Sequence, residues 1–447
     1  MAQTVVTRTK KKAENLGGEF QFSRDLIPDH GISSQFLKNY RDEAWYSYKN
    51  IRMPNTSDEP WRRTDIRKLD SRSFQLPGNG KLKNLSAVPD ELLEPLVGDQ
   101  HAGQIVLTAA GTQTDLDSAL EDQGVIFCDL VTAERDHSDV LQKIIGQVVK
   151  ADEGKFAAMA AAYADLGVLV YVPRGVKVEQ PLHSILWGSG TGLAYFSHVI
   201  VWLEEGAELT YVHESASPDE LGGQSLHAGL VEIKVDPNAK LRFVELQSWG
   251  EHVWNFTHKR ARVDRDASLD WVFVAVGSRL TKDFSDLDLV GEGALGRMSG
   301  FYFTDGKQHL DHDTQQNHLA ANTTSDLLFK GALKGNSRSV WQGMIYVAPG
   351  AQKTDGYQAN RNLVLSDKAR ADSIPGLEIL ADDVRCTHGA TVGKIDPEEL
   401  FYLLSRGIQH EDAERIIVEG FFDPIMQRIP FDGVKDRLEH AIAMKMK

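Results

Sequence analysis

Seven short phrases of one kind punctuate the sequence between residues 173 and 371: PRGVKV, EEGAEL, DPNAKL, DRDASL, GEGALG, PGAQKT and SDKARA. In the first five the central residues are Val176, Ala207, Ala239, Ala267 and Ala294, separated by 31, 32, 28 and 27 positions. Each phrase joins turn residues to a small residue and leads into a short apolar or alternating run. That pattern, at near-regular spacing, is the mark of stacked coils. The small residue suits a tight corner, where a bulky side chain would strike the coil above. A β-sandwich also produces many short strands with turn signals. The recurring phrase favours a parallel β-helix.

The flanks read differently. Residues 1–166 are expected to be mostly helical, residues 167–393 to form the β-helix core, and residues 394–447 to be helical again. In the first region SSQFLKNYRDEAWYSYKNI places Phe36, Leu37, Tyr40 and Ala44 at helical intervals behind a serine cap. HSDVLQKIIGQVVKADEGKFAAMAAAYADLG reads as two helices ended by Gly167. In the third region Asp396, Pro397 and Glu399 form a helix start, and Arg406 and Gly407 form its end. Ile416, Ile417, Phe421, Leu438 and Ile442 lie on further amphipathic stretches, which could cover the β-region or receive a partner. WGSGTGLAY, between two strand-like runs, is expected to be a hairpin loop.

Composition excludes some functions. The formal net charge of −15 argues against broad phosphate-backbone binding. Apolar runs such as GVLVYVP fall well short of the roughly 18 residues a spanning helix needs. The basic N-terminal run has no apolar stretch behind it, so a secretory signal is not expected and the segment reads as a solvated arm. Two cysteines, Cys128 and Cys386, cannot build a disulfide framework, and they suit a reducing, cytoplasmic setting. Neither a Walker A phosphate loop nor a G-x-S-x-G elbow in a strand–turn–helix setting is present, so a nucleotide-driven step would need another protein.

Two clusters could carry chemistry. In KQHLDHDTQQNHLAANTTSD, residues His309, Asp311 and Asp313 share one face of a strand, and His312 and His318 share the other. Imidazole and carboxylate suit a borderline divalent metal, although no spacing here matches a closed site. In ADDVRCTHGATVGKI, Cys386 and His388 lie two apart and would project from the same strand face. Three readings follow. The pair could serve a cysteine hydrolase with Asp382 or Asp383 as orienter. It could belong to a metal module completed by the histidine cluster. Or it could supply part of a ligand set, since an iron–sulfur cluster takes about four ligands and the rest would come from a second chain. A buried, inert cysteine beside a surface histidine is the plain alternative.

The stretch VWQGMIYVAPGAQKTDGYQANRNLVLSDKARADSIPGLEILADDVRCTHGATVGKIDPEELFYLLSRGI resembles the C-terminal core of the SufB/SufD family, the scaffold subunits of Suf iron–sulfur cluster assembly. The likeness is close over about residues 309–410 and continues more loosely through the strand-rich middle and EPWRRTDIRKLD. Residues 386–393, CTHGATVG, are similar to the SufD form of the motif. Ala369 stands where the SufB form carries its essential cysteine. The resemblance implies a mainly β, right-handed parallel β-helix flanked by helical N- and C-terminal regions. It implies pairing with a SufB-type subunit through β-helix edges and binding of a SufC-type ATPase by the C-terminal helices. A transient iron–sulfur cluster would form at the SufB interface, with His388 as the metal ligand from this side and Cys386 as a second contact to it. It further raises a reduced flavin in the complex. The implied role is a non-catalytic scaffold.

Overall fold

A computed structural model describes residues 18–31, 33–77, 85–94, 101–429 and 431–446; the expected N-terminal arm lies outside them. Nineteen strands among the described residues form two sheets of ten and nine. From the fourth strand, Leu166–Val172, onward, successive strands alternate between the sheets and every pairing among them is parallel. Each coil therefore lays one strand on each side of a shared interior, as stacked coils require. The expected parallel β-helix is the fold, about eight turns long.

The recurring phrase is a physical column. Lys240 donates its N–H to Ala207 O, Ser268 to Ala239 O, Leu295 to Ala267 O and Thr324 to Ala294 O. The four alanines are no more than 1% exposed. The residue before each is left-handed: Gly206, Asn238, Asp266 and Gly293 have φ of 71°, 60°, 54° and 73°. That backbone requirement explains the Gly, Asn and Asp of the phrase. The column continues through Thr323 and Thr354, behind left-handed Asn322 and Lys353. SDKARA belongs instead to the opposite corner, where Arg370 N–H donates to Ser337 O.

Three expectations are corrected. WGSGTGLAY is not a hairpin loop: it joins Leu182–Trp187 of one sheet to Ala194–Leu203 of the other, and so turns a coil corner. Strands also lie ahead of residue 167, at Gly103–Thr108, Gly111–Leu116 and Ile126–Asp129. The first and third of these extend the two sheets, and antiparallel pairings close the first coil's edge. The first of the two helices expected over 137–166 is regular only at Ser138–Leu141. It gives way to turns because buried Glu232 accepts the N–H groups of Gly146, Val148 and Val149.

The helix Gln35–Asn50, capped by Ser34, and the wholly buried helix Lys155–Tyr163 form a layer on the nine-stranded sheet, with Phe156 and Phe256 stacked at 3.7 Å. The helices His410–Met426 and Asp432–Met446 pack on the ten-stranded sheet, where Phe422 stacks on Phe301 at 4.7 Å and Arg437 grips Glu214. Of the residues expected to cover the β-region, Leu438 and Ile442 are buried and Ile416 is exposed. These helices cover a broad face of the β-helix and leave its last coil open.

Candidate functional site at the open end of the β-helix

The last two strands, Arg370–Ile379 and Val384–Gly393, are the terminal members of their sheets. Each is ten residues long and carries almost only exposed or half-buried side chains. Full-length free edges of this kind present unpaired N–H and C=O groups to any strand that can join them.

Cys386 and His388 stand on the second of these edges, in register with Gly356 and Gln358 of the strand Thr354–Val364. Alternation puts both on the inward side, so they sit at the mouth of the interior. Cys386 is half-buried among Ile345 and its neighbours. Burial pushes its thiol above the ordinary value, and the Gly356 N–H offsets part of that. His388 is exposed, and no hydrogen bond or ion pair holds it among the described residues. Its imidazole is therefore open to a group from outside the chain.

The hydrolase arrangement is absent. No hydrogen bond joins Cys386 to His388, whereas a nucleophile and its base must come within roughly 2.6–3.2 Å. Asp383 spends its backbone on Lys353 and Gln352, and neither it nor Asp382 orients His388.

The histidine cluster is divided by the sheet. On its outer face Lys282, Asp311 and Asp313 form an ion network, with Lys282 3.1 Å from Asp311 and 2.8 Å from Asp313. Thr64 joins it through Asp311 and through His309 Nε2 at 2.8 Å. EPWRRTDIRKLD and KQHLDHD thus meet, and their shared role is to fasten the N-terminal layer to the sheet. On the inner face His312 stacks on Tyr302 at 5.4 Å, and His318 bonds Thr323 and Ser325 at 2.8 Å each. Burial lowers His318 to about 4, so it is neutral at pH 7. No group of three or more His, Cys, Asp or Glu able to hold a metal occurs among the described residues. Cys128 is buried far from the mouth, its thiol pushed up to about 12 by burial.

Sequence reasoning missed the floor of the mouth. Gln358, Asn360 and Asn362 are buried beneath the last coil, and Ser339, Trp341 and Gln358 each keep a buried polar atom without a partner. The signal was the alternation in YQANRN, which puts three amides on one strand face. Asn360 and Asn362 bond each other and Tyr302, whereas leaving Gln358 Oε1 buried without a partner is costly unless water or a partner chain joins it.

Comparison with known proteins matches residues 186–421 to the family described as "SUF system FeS cluster assembly, SufBD core domain", and residues 10–183 to "SufBD protein N-terminal region". The chain belongs to the SufB/SufD family. Among curated relatives it is 30% identical to the iron–sulfur cluster assembly protein SufD of Bacillus subtilis, over 94% of this chain and 99% of that one. It is 28% identical to SufB of the same organism, over 89% and 87%. A SufBD family protein of Staphylococcus saprophyticus matches at 29%, over 89% and 87%. No described helix is long and apolar enough to cross a membrane.

Proposed function

We propose that the chain is a SufD-like, non-catalytic scaffold subunit that pairs with a SufB-type subunit and lends His388 to a nascent iron–sulfur cluster. The observation that carries this reading is the placement of His388, exposed and unengaged, on one of two free ten-residue edges. A second β-helix of the same fold would pair with those edges and bring its own ligands over the mouth. One exposed imidazole, with a half-buried thiol beside it, supplies only part of the roughly four ligands such a cluster takes. The cluster is cargo, completed by the partner's side. Both cysteines are free thiols, which suits the reducing cytoplasm.

The co-purified complex with SufB- and SufC-type subunits tests this. His388→Ala is expected to leave assembly intact and lower bound iron and sulfide at least about tenfold, in line with the loss of one ligand. Unchanged iron and sulfide would make His388 structural.

The ATPase contact falls to the helix Pro397–Ser405. Asp396 caps it by accepting the Glu398 N–H, and none of its residues is buried. Phe401 and Tyr402 are 71% and 55% exposed. An amphipathic helix with an uncovered aromatic face fits a groove on a partner. Phe401→Asp is expected to abolish capture of the SufC-type subunit in a pull-down while SufB pairing persists. Retained capture would move the contact elsewhere.

A further inference from the structure

The cleft between the N-terminal layer and the nine-stranded sheet has a volume of about 820 Å³ and reaches the last strand of that sheet at Ile374, Pro375 and Gly376, but neither Cys386 nor His388 lines it. Its floor is two outward columns of the sheet. One runs through His258, Phe284, Asp313, Gln342 and Ile374, and the other through Asp286, Gln315, Met344 and Gly376. The N-terminal layer supplies the opposite wall, including Trp61 and Phe156. The size is that of a small-molecule site, and the lining is largely apolar.

The polar groups have a consistent sense. Five carboxylates line the cleft with the two cations Arg52 and Lys155; Arg52 pairs with Asp58, and Arg62, Arg260 and Lys282 outside the lining pair with Glu59, with Glu153 and Asp286, and with Asp313. Both cations are bound by acids of the N-terminal layer. Arg260 reaches Asp286 only through Oδ2, which leaves Oδ1 as a spare acceptor. His258 is 6% exposed, stacks on Phe284 at 4.6 Å, and keeps Nδ1 without a partner. Burial raises Asp286 to about 6 and Asp313 to about 7, although Arg260 and Lys282 beside them pull in the opposite direction. Half-buried Phe284 already accepts one cation on its ring, Lys282 at 4.8 Å. Aromatic walls with a spare carboxylate oxygen, Asp286 Oδ1, favour a cation over an anion.

We propose that this cleft binds a small organic cation, with an apolar body against Phe284 and Met344 and an amino or amidino group on Asp286. The proposal does not depend on the cluster reading, because neither Cys386 nor His388 lines the cleft.

Two probes of the same shape and opposite charge, 1-naphthylmethylamine and 1-naphthylacetate, are titrated calorimetrically into the full chain. The amine is expected to bind at least tenfold tighter than the acid. Met344→Trp, which fills the floor, is expected to weaken the amine at least tenfold, and Asp286→Asn to erase the preference between probes. Circular dichroism establishes that each variant is folded. If Asp286→Asn does not fold, the wild-type probe pair and Met344→Trp decide. Equal binding of both probes, binding of neither, or amine binding indifferent to Met344→Trp would overturn the proposal.

Discussion

Lys259→Met is expected to destabilise the folded chain by about 3–5 kcal/mol at pH 7, the usual result of removing one partner from a buried ion network. Lys259 is 3% exposed inside the β-helix, 2.6 Å from Glu245 and 3.1 Å from Asp283. Burial pushes the Asp283 carboxyl up, but Lys259, His312 and Thr257 together hold it well below the ordinary carboxylate range. Glu245 lies on the other side: burial holds it above its ordinary value despite the same lysine. The sign of the pH effect follows. A depressed carboxylate contributes stability that is present above its unfolded pKa, about 3.9, and is lost as pH falls through the folded value. Without Lys259 that contribution disappears, and burial leaves the stranded carboxylates with raised pKa values, so they take up protons above the unfolded value and the deficit is larger at pH 7 than at pH 4. Urea melts of wild type and variant at pH 7 and pH 4 check both parts. A deficit that is the same at both pH values would mean that packing, not charge, is what Lys259 provides.

Gly277→Ala is expected to cost at least about 3 kcal/mol, beyond ordinary overpacking, because the obstacle is backbone. An added Cβ would lie 2.2 Å from the carbonyl oxygen and 2.4 Å from the nitrogen of Trp249 in the preceding coil. The stack cannot open there without losing the bond from Ser278 N–H to Trp249 O. Gly420→Ala is the matched control. It lies inside the helix His410–Met426 with nothing within 4 Å of an added Cβ. There alanine is expected to be neutral or to stabilise by about 0.5–1 kcal/mol, from helix propensity. Thermal melts of the two variants should separate widely. Similar melting would show that the coils can slide apart at Gly277.

The β-helix was legible because its rule is local. A left-handed residue followed by a small one recurs at Gly206–Ala207, Asn238–Ala239, Asp266–Ala267 and Gly293–Ala294, and each pair turns the chain the same way. The column was lost where threonine replaced alanine, at Thr323 and Thr354, since both residues fit the corner but only one was sought. WGSGTGLAY misled for a related reason. Glycine announces a turn but not whether the next strand pairs with the last one or crosses to the other sheet.

The candidate site divides along the same line. That Cys386 and His388 share a face follows from strand parity, and so does the amide row beneath them. The caps at Ser34 and Asp396 are equally local, each a side chain accepting a nearby N–H. The long-range pairings belong to the tertiary structure alone. Thr64 meets His309 across 245 residues, and Lys282 between two aspartates turns metal-like spacing into a structural clasp. The amino-acid order determined the coils, the parity of their faces and the helix ends, because these depend on residues a few positions apart. Which face is covered, which charges are buried together and which end stays open were decided only by how distant segments pack, because burial is a property of neighbours in space.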